Sequence, residues 1–174
     1  MKTAIGGIFT MQSVIIFLVL ASGLLAFSVS YTKAFKVKND IRRVVEEFEG
    51  LSESASVKID KVADKYSYNL STPNTYVELC QKMDGYKAYR STTANGNEVV
   101  FCVKCELADV AGTKQNNLKY KGSYYTIVTF VSIDIPIINR VFPKAANFLK
   151  VKGQTALIYY SGNNTELCRY AKTV

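Results

Sequence analysis

The sequence predicts an α+β protein: a long N-terminal helix, apolar in its first half and amphipathic in its second, packed on a small antiparallel β-sheet domain. Three observations predict it. Residues 3 to 32 form 30 consecutive uncharged residues between Lys2 and Lys33. Apolar residues then recur at helical spacing as far as Phe48. From Tyr86 the pattern changes to short runs rich in Tyr, Thr, Val and Ile, and helices followed by strands is the order of an α+β domain.

The apolar run comes first. Val14 to Val29 contains eleven Val, Ile, Leu or Phe residues, which favour a bilayer by about 3 to 7 kcal/mol on insertion scales. Ser22, Gly23 and Ser28 offset part of that. About 20 such residues span a hydrocarbon core, so residues 8–31 are expected to form a transmembrane segment. Beyond it, Tyr31, Ala34, Phe35, Val37, Ile41, Val44, Val45 and Phe48 make one stripe, with Lys36, Lys38, Asp40, Arg42, Arg43, Glu46 and Glu47 among the polar positions between. No Pro or Gly interrupts Leu24 to Glu49, and Gly50 is placed to end the helix. One helix over Ile8–Glu49 would be about 60 Å long, with residues 32–50 as its amphipathic extension. The remainder, residues 51–174, suffices for one domain with a real core.

In that domain Glu53 to Tyr66 reads as a second helix, with Ile59, Val62, Ala63 and Tyr66 as its stripe. Ser67 to Asn74, with Pro73, reads as a loop, and Thr75 to Met83 as a short helical turn. Tyr86 to Thr93, Asn95-Gly96 and Glu98 to Leu107 form a hairpin pattern. Asp109 to Asn117 reads as a loop. Tyr120 to Ile135 is expected to be a long strand stopped by Pro136. Phe148 to Tyr160 is another, with Gly153 as a bulge or kink. Glu166 to Ala171 supplies a last edge strand.

Composition narrows the function. The chain has 12 Tyr and neither Trp nor His. Lack of His removes the commonest general base and metal ligand, and with it any Ser-His-Asp or Cys-His arrangement. The net charge of +8 is spread along the chain, which fits a solvated surface better than a nucleic-acid site. Glu46-Glu47, Glu106 and Asp109 read as surface carboxylates. The Tyr-rich strands are expected to face a core or a subunit rather than to stack bases. No catalytic residue, metal site, cofactor or nucleic-acid partner is expected. Asn69-Leu70-Ser71 and Asn163-Asn164-Thr165 are glycosylation sequons by pattern alone.

Four cysteines, Cys80, Cys102, Cys105 and Cys168, allow three connectivities. Cys102 and Cys105 form a C-x-x-C, a spacing used by redox dithiols and zinc sites. Here it lies in a predicted strand, where residues three apart face opposite sides. Two disulfides are therefore expected, each joining Cys80 or Cys168 to Cys102 or Cys105. Such bridges contribute roughly 3 to 5 kcal/mol each on the loop-entropy view and need an oxidising compartment. Lys33, Lys36, Lys38, Arg42 and Arg43 after the span would by the positive-inside rule place the domain in the cytoplasm. The cysteines favour the outside, and an extracytoplasmic or cell-surface domain on a single-pass anchor in the cytoplasmic membrane is the expectation. The alternative is a membrane-anchored thiol-disulfide or metal-binding protein using Cys102 and Cys105.

The N-terminus admits a cleaved secretory signal ending near Ala26-Phe27-Ser28, an uncleaved anchor, or a third form. Gly6-Gly7-Ile8-Phe9-Thr10 before the apolar run resembles the processing site of type IV prepilins. That resemblance implies a leader over residues 1–7, cleavage between Gly7 and Ile8 by a prepilin-type peptidase, and retention of the apolar helix. Gln12 stands where the family usually has Glu, whose charge can meet the free amine of a neighbouring subunit. Further on, Tyr124-Tyr125-Thr126-Ile127-Val128-Thr129-Phe130, Ile135-Pro136-Ile137 and Lys152-Gly153-Gln154-Thr155-Ala156 resemble the C-terminal half of TadE-like proteins, pseudopilins and minor pilins of tight-adherence (Tad) pilus systems. The resemblance implies a pilin-like fold and a role in pilus assembly or as a minor subunit. It also implies membrane lipid, other pilin-like subunits or an assembly platform as partners. Small residues Ala21, Ser22 and Gly23 would let such helices approach closely.

Overall fold

The computed structural model describes residues 2–70, 72–110, 120–131, 149–160, 168, 170 and 173, of which 2–8, 109, 110, 120, 121 and 160 by backbone alone. Helix α1 runs over Lys2–Glu47, about 69 Å at 1.5 Å per residue. It starts earlier than expected, passing through Gly6 and Gly7 without a break. It also stops two residues sooner. Glu49 and Gly50 take left-handed φ values of 52° and 139°, and the Gly50 N–H closes on the Val45 carbonyl at 2.8 Å.

Helix α2 (Glu53–Lys65) starts at Ser52, whose side chain accepts from the Ala55 N–H, satisfying an otherwise orphaned donor. It folds back antiparallel to α1. Lys58 pairs with Glu47 at one end, and Lys65 and the Tyr66 hydroxyl reach Asp40 at the other. Helix α3 spans Pro73–Gln81. Pro73 and Asn74 thus belong to a helix and not to the expected loop, because Pro is tolerated where the first N–H has no intrahelical partner.

The sheet is antiparallel, with β1 (Lys87–Thr92), β2 (Glu98–Val110) and β3 (Tyr120–Phe130) in sequence order. Strands β4 (Lys150–Gln154) and β5 (Ile158–Tyr160) share the far edge of β3. Gly96, at φ 77°, makes the β1–β2 turn. Strand β2 reaches into the expected loop, since Asp109 and Val110 pair with Lys121 and Tyr120. Strand β3 ends at Phe130 rather than Ile135; residues 132–135 lie outside the described residues. The single strand expected over Phe148–Tyr160 is interrupted, though not at Gly153, which pairs in register with Ile127. The break falls at Thr155–Leu157, where the register with β3 slips by one residue, the signature of a bulge. There the Thr155 hydroxyl accepts from the Tyr125 N–H at 2.9 Å, and Glu46 of α1 accepts from the Ala156 N–H at 2.7 Å. The last edge strand falls mostly outside the described residues. Tyr170 and Thr173 make isolated bridges to Leu51 and Tyr89.

Both faces of this sheet are covered. Tyr89, Phe101, Thr129 and Val151 stand opposite one another along the register. On their face the Thr129 hydroxyl donates to the Ala34 carbonyl of α1, and Tyr89 and Ser91 reach Asp60 of α2. On the other face lie Ala88, Cys102 and Phe130, against Cys80 and Tyr76 of α3. Val99 to Val103 are all fully buried as a result. This explains a continuous apolar stretch where a sheet covered on one side would alternate.

Candidate functional site

Helix α1 divides into two environments. Ala34, Val37, Ile41, Val44 and Val45 are buried against the domain. Burying each of the larger ones contributes about 1.5 to 3 kcal/mol, so this half is clamped. From Phe9 to Leu25 the large apolar side chains are half or more exposed, Phe9, Leu24 and Leu25 at about 70%. By length and composition this is the one helix among the described residues able to cross a membrane. Two of its serines are quiet. Ser13 and Ser22 donate to the carbonyls of Phe9 and Val19, both at 2.9 Å, a bond that leaves no hydroxyl proton wanting water.

The expected site residues do not all meet. Gly7 and Ile8 lie within the continuous backbone of α1, and Gln12 is exposed on it. Ala21, Ser22 and Gly23 point in different directions, because neighbours in a helix are 100° apart. Gly23 belongs instead with Ala26, Ser30, Ala34, Val37 and Ile41, spaced three or four apart on one face. That face is partly exposed at Gly23, Ala26 and Ser30 and buried at Ala34, Val37 and Ile41. Ala26 and Ser30 were legible as members of this stripe, since the spacing from Ala34 and Ile41 extends backwards to them.

The four cysteines form two disulfides, Cys80–Cys102 and Cys105–Cys168, with Cα separations of 5.2 and 5.6 Å. Cys102 faces α3, whereas Cys105, three residues on, faces the side of α1 and α2. Each bridge thus fastens a different face of β2. The C-x-x-C is no dithiol, and none of the four sulfurs is free. Among the described residues no group of three or more His, Cys, Asp or Glu side chains converges as metal ligands would.

The tyrosines act as fasteners. The Tyr68 hydroxyl accepts from the Phe130 N–H and donates to the Phe130 carbonyl, both at 3.1 Å. Tyr89 stacks on Phe101 at 4.4 Å and donates to Asp60. Burial pushes both phenols well above their ordinary range, so neither ionises near neutral pH. Tyr76 and Tyr125 are buried as well.

No known protein family, curated protein or solved structure matches this chain. The described residues form a stapled three-layer domain clamped on one half of α1, and over Phe9 to Leu25 the large apolar side chains of the other half are half or more exposed.

Proposed function

We propose that the chain is a membrane-anchored, non-catalytic, pilin-like protein of the TadE-like kind, acting in assembly or as a minor component of a Tad or type IV-like pilus. The observation that carries the reading is the continuity of α1. One rod of 46 residues holds a bare apolar half and a half locked to an α+β domain, so a force or a packing contact on one end reaches the other. The bare half rests in the cytoplasmic membrane as a single span. The two disulfides support an oxidising, extracytoplasmic side for the domain, against the positive-inside count. Helix-to-helix packing through the Gly23–Ala26–Ser30 face would then join copies, or join the chain to an assembly platform.

Mass spectrometry of the mature N-terminus tests the reading. A start at Ile8 supports processing by a prepilin-type peptidase, and a start at Met1 supports a plain anchor. A start near Val29 or Tyr31 overturns both, because the bare half would be gone. Within the first outcome, Gln12→Glu supplies the missing charge beside a neighbour's amine, and cross-linking between copies should rise.

A further inference from the structure

Where the bare half of α1 meets the domain, Ser28, Val29, Thr32, Lys33 and Lys36 form an open groove with Tyr66, the residue ending α2; its volume is about 290 Å³. Among the described residues its lining carries two cations and no carboxylate. Lys33 is held toward the domain by donation to the Ser67 carbonyl at 3.3 Å, and Lys36 is exposed. The nearest acid along the helix, Asp40, is occupied by the Tyr66 hydroxyl at 2.9 Å and by Lys65 at 3.7 Å. Val29 and the ring of Tyr66 add apolar surface beside the charges.

Depth along the helix bears on the occupant. Phe9 to Val29 rises about 30 Å, which matches about 30 Å for a hydrocarbon core. Lys33 and Lys36 lie about 6 and 10 Å further on, the level of the headgroup phosphates, and aromatic rings collect at the same interface. We propose that this groove binds the phosphate of an anionic glycerophospholipid in the leaflet beneath the domain, with Lys33 and Lys36 as its cations and Tyr66 as its wall. The proposal rests on α1 spanning a bilayer. Bound lipid would set the depth and tilt of the rod before any assembly step.

The test uses the full chain in detergent micelles, titrated with phosphatidylglycerol or phosphatidylcholine and read by native mass spectrometry. One phosphatidylglycerol should be retained in preference to phosphatidylcholine. Lys33→Gln and Lys36→Gln should each weaken it about fivefold, the usual worth of one cation at an anionic surface. Arg43→Gln should leave it unchanged, since Arg43 lies about 10 Å beyond Lys36, a Debye length away. Thermal melts of the variants matching the parent would show that the fold is intact. Equal retention of the two lipids would overturn the proposal. So would an Arg43→Gln effect as large as that of Lys33→Gln, or displacement of the lipid by millimolar inorganic phosphate, which would mark a plain ion site. Alkaline extraction of vesicles separates the two claims. A chain stripped from vesicles sinks the membrane reading, whereas a chain retained without lipid preference sinks this inference alone.

Discussion

The side chain of Lys38 on α1 lies across Gly153 of β4, so that a Cβ on Gly153 would fall 2.7 Å from Lys38 Cδ and 3.0 Å from its Nζ. Lys38 is buried, and its ammonium sits 4.3 Å from the centre of the Phe35 ring. Burial, with Arg42 one turn on, pulls its amine below the ordinary lysine value. Gly153 is therefore a contact between helix and sheet. Gly153→Ala should destabilise the domain by about 1 kcal/mol by overpacking. In a Lys38→Ala background the same change should be neutral or stabilising, since Gly153 keeps ordinary strand geometry. Thermal melts of the four proteins of this cycle check it. Additive losses would show that the two residues do not press on each other.

The disulfides should differ in stability and in access. Loop entropy assigns about 3 kcal/mol to Cys80–Cys102 and about 4 kcal/mol to Cys105–Cys168, whose sequence separations are 22 and 63. Cys80 and Cys102 are fully buried, whereas Cys105 and Cys168 are partly exposed. Mild reductant followed by alkylation should thus label Cys105 and Cys168 first. Peptide mapping reads the order, and early labelling of Cys80 would contradict the burial.

Tyr68→Phe should cost about 1 to 3 kcal/mol, because it leaves the buried Phe130 N–H and carbonyl without their shared partner. The ring volume is unchanged, so packing loss contributes little. Urea midpoints of the two proteins measure it. A change below about 0.5 kcal/mol would mean that the backbone of Phe130 finds another partner.

Asp64 gives the domain an acid-side dependence. Its carboxylate accepts from Thr93, Asn97 and Asn95 at the β1–β2 turn, and these bonds hold its pKa below the ordinary carboxylate value. A depressed folded-state pKa adds stability that is complete above the unfolded value of about 3.9 and is lost as pH falls through the folded one. Asp64→Asn should lower the melting temperature at pH 7 and flatten its fall below pH 4. Parallel acid limbs in the two proteins would remove Asp64 as their cause.

Much of the architecture was legible because it is written in local pattern. The 30 uncharged residues, the stripe from Ala34 to Phe48 and the Asn95-Gly96 turn each act over a few residues, and they specify α1 and the β1–β2 hairpin. The opposite facing of Cys102 and Cys105 followed from strand period alone. Gly153 misled for a physical reason. A glycine in a strand signals either a bulge or a close approach, and only the position of Lys38, 115 residues away in sequence, tells which. Pro73 was legible either as a loop residue or as a helix start, and the burial of Tyr76, Val77 and Cys80 decides for the helix.

The sequence by itself determined a helix apolar at one end and striped at the other, followed by strands, with Cys102 and Cys105 at an odd spacing that turns them to opposite faces of one strand. Periodicity and hydropathy are properties of adjacent residues, so they need no partner to be read. Tertiary structure alone decided that Cys80 meets Cys102 and Cys168 meets Cys105, that α3 covers the second face of the sheet, and that the bulge falls at Thr155–Leu157. Each of these depends on which distant surfaces exclude water from one another, and no single stretch of chain carries that information.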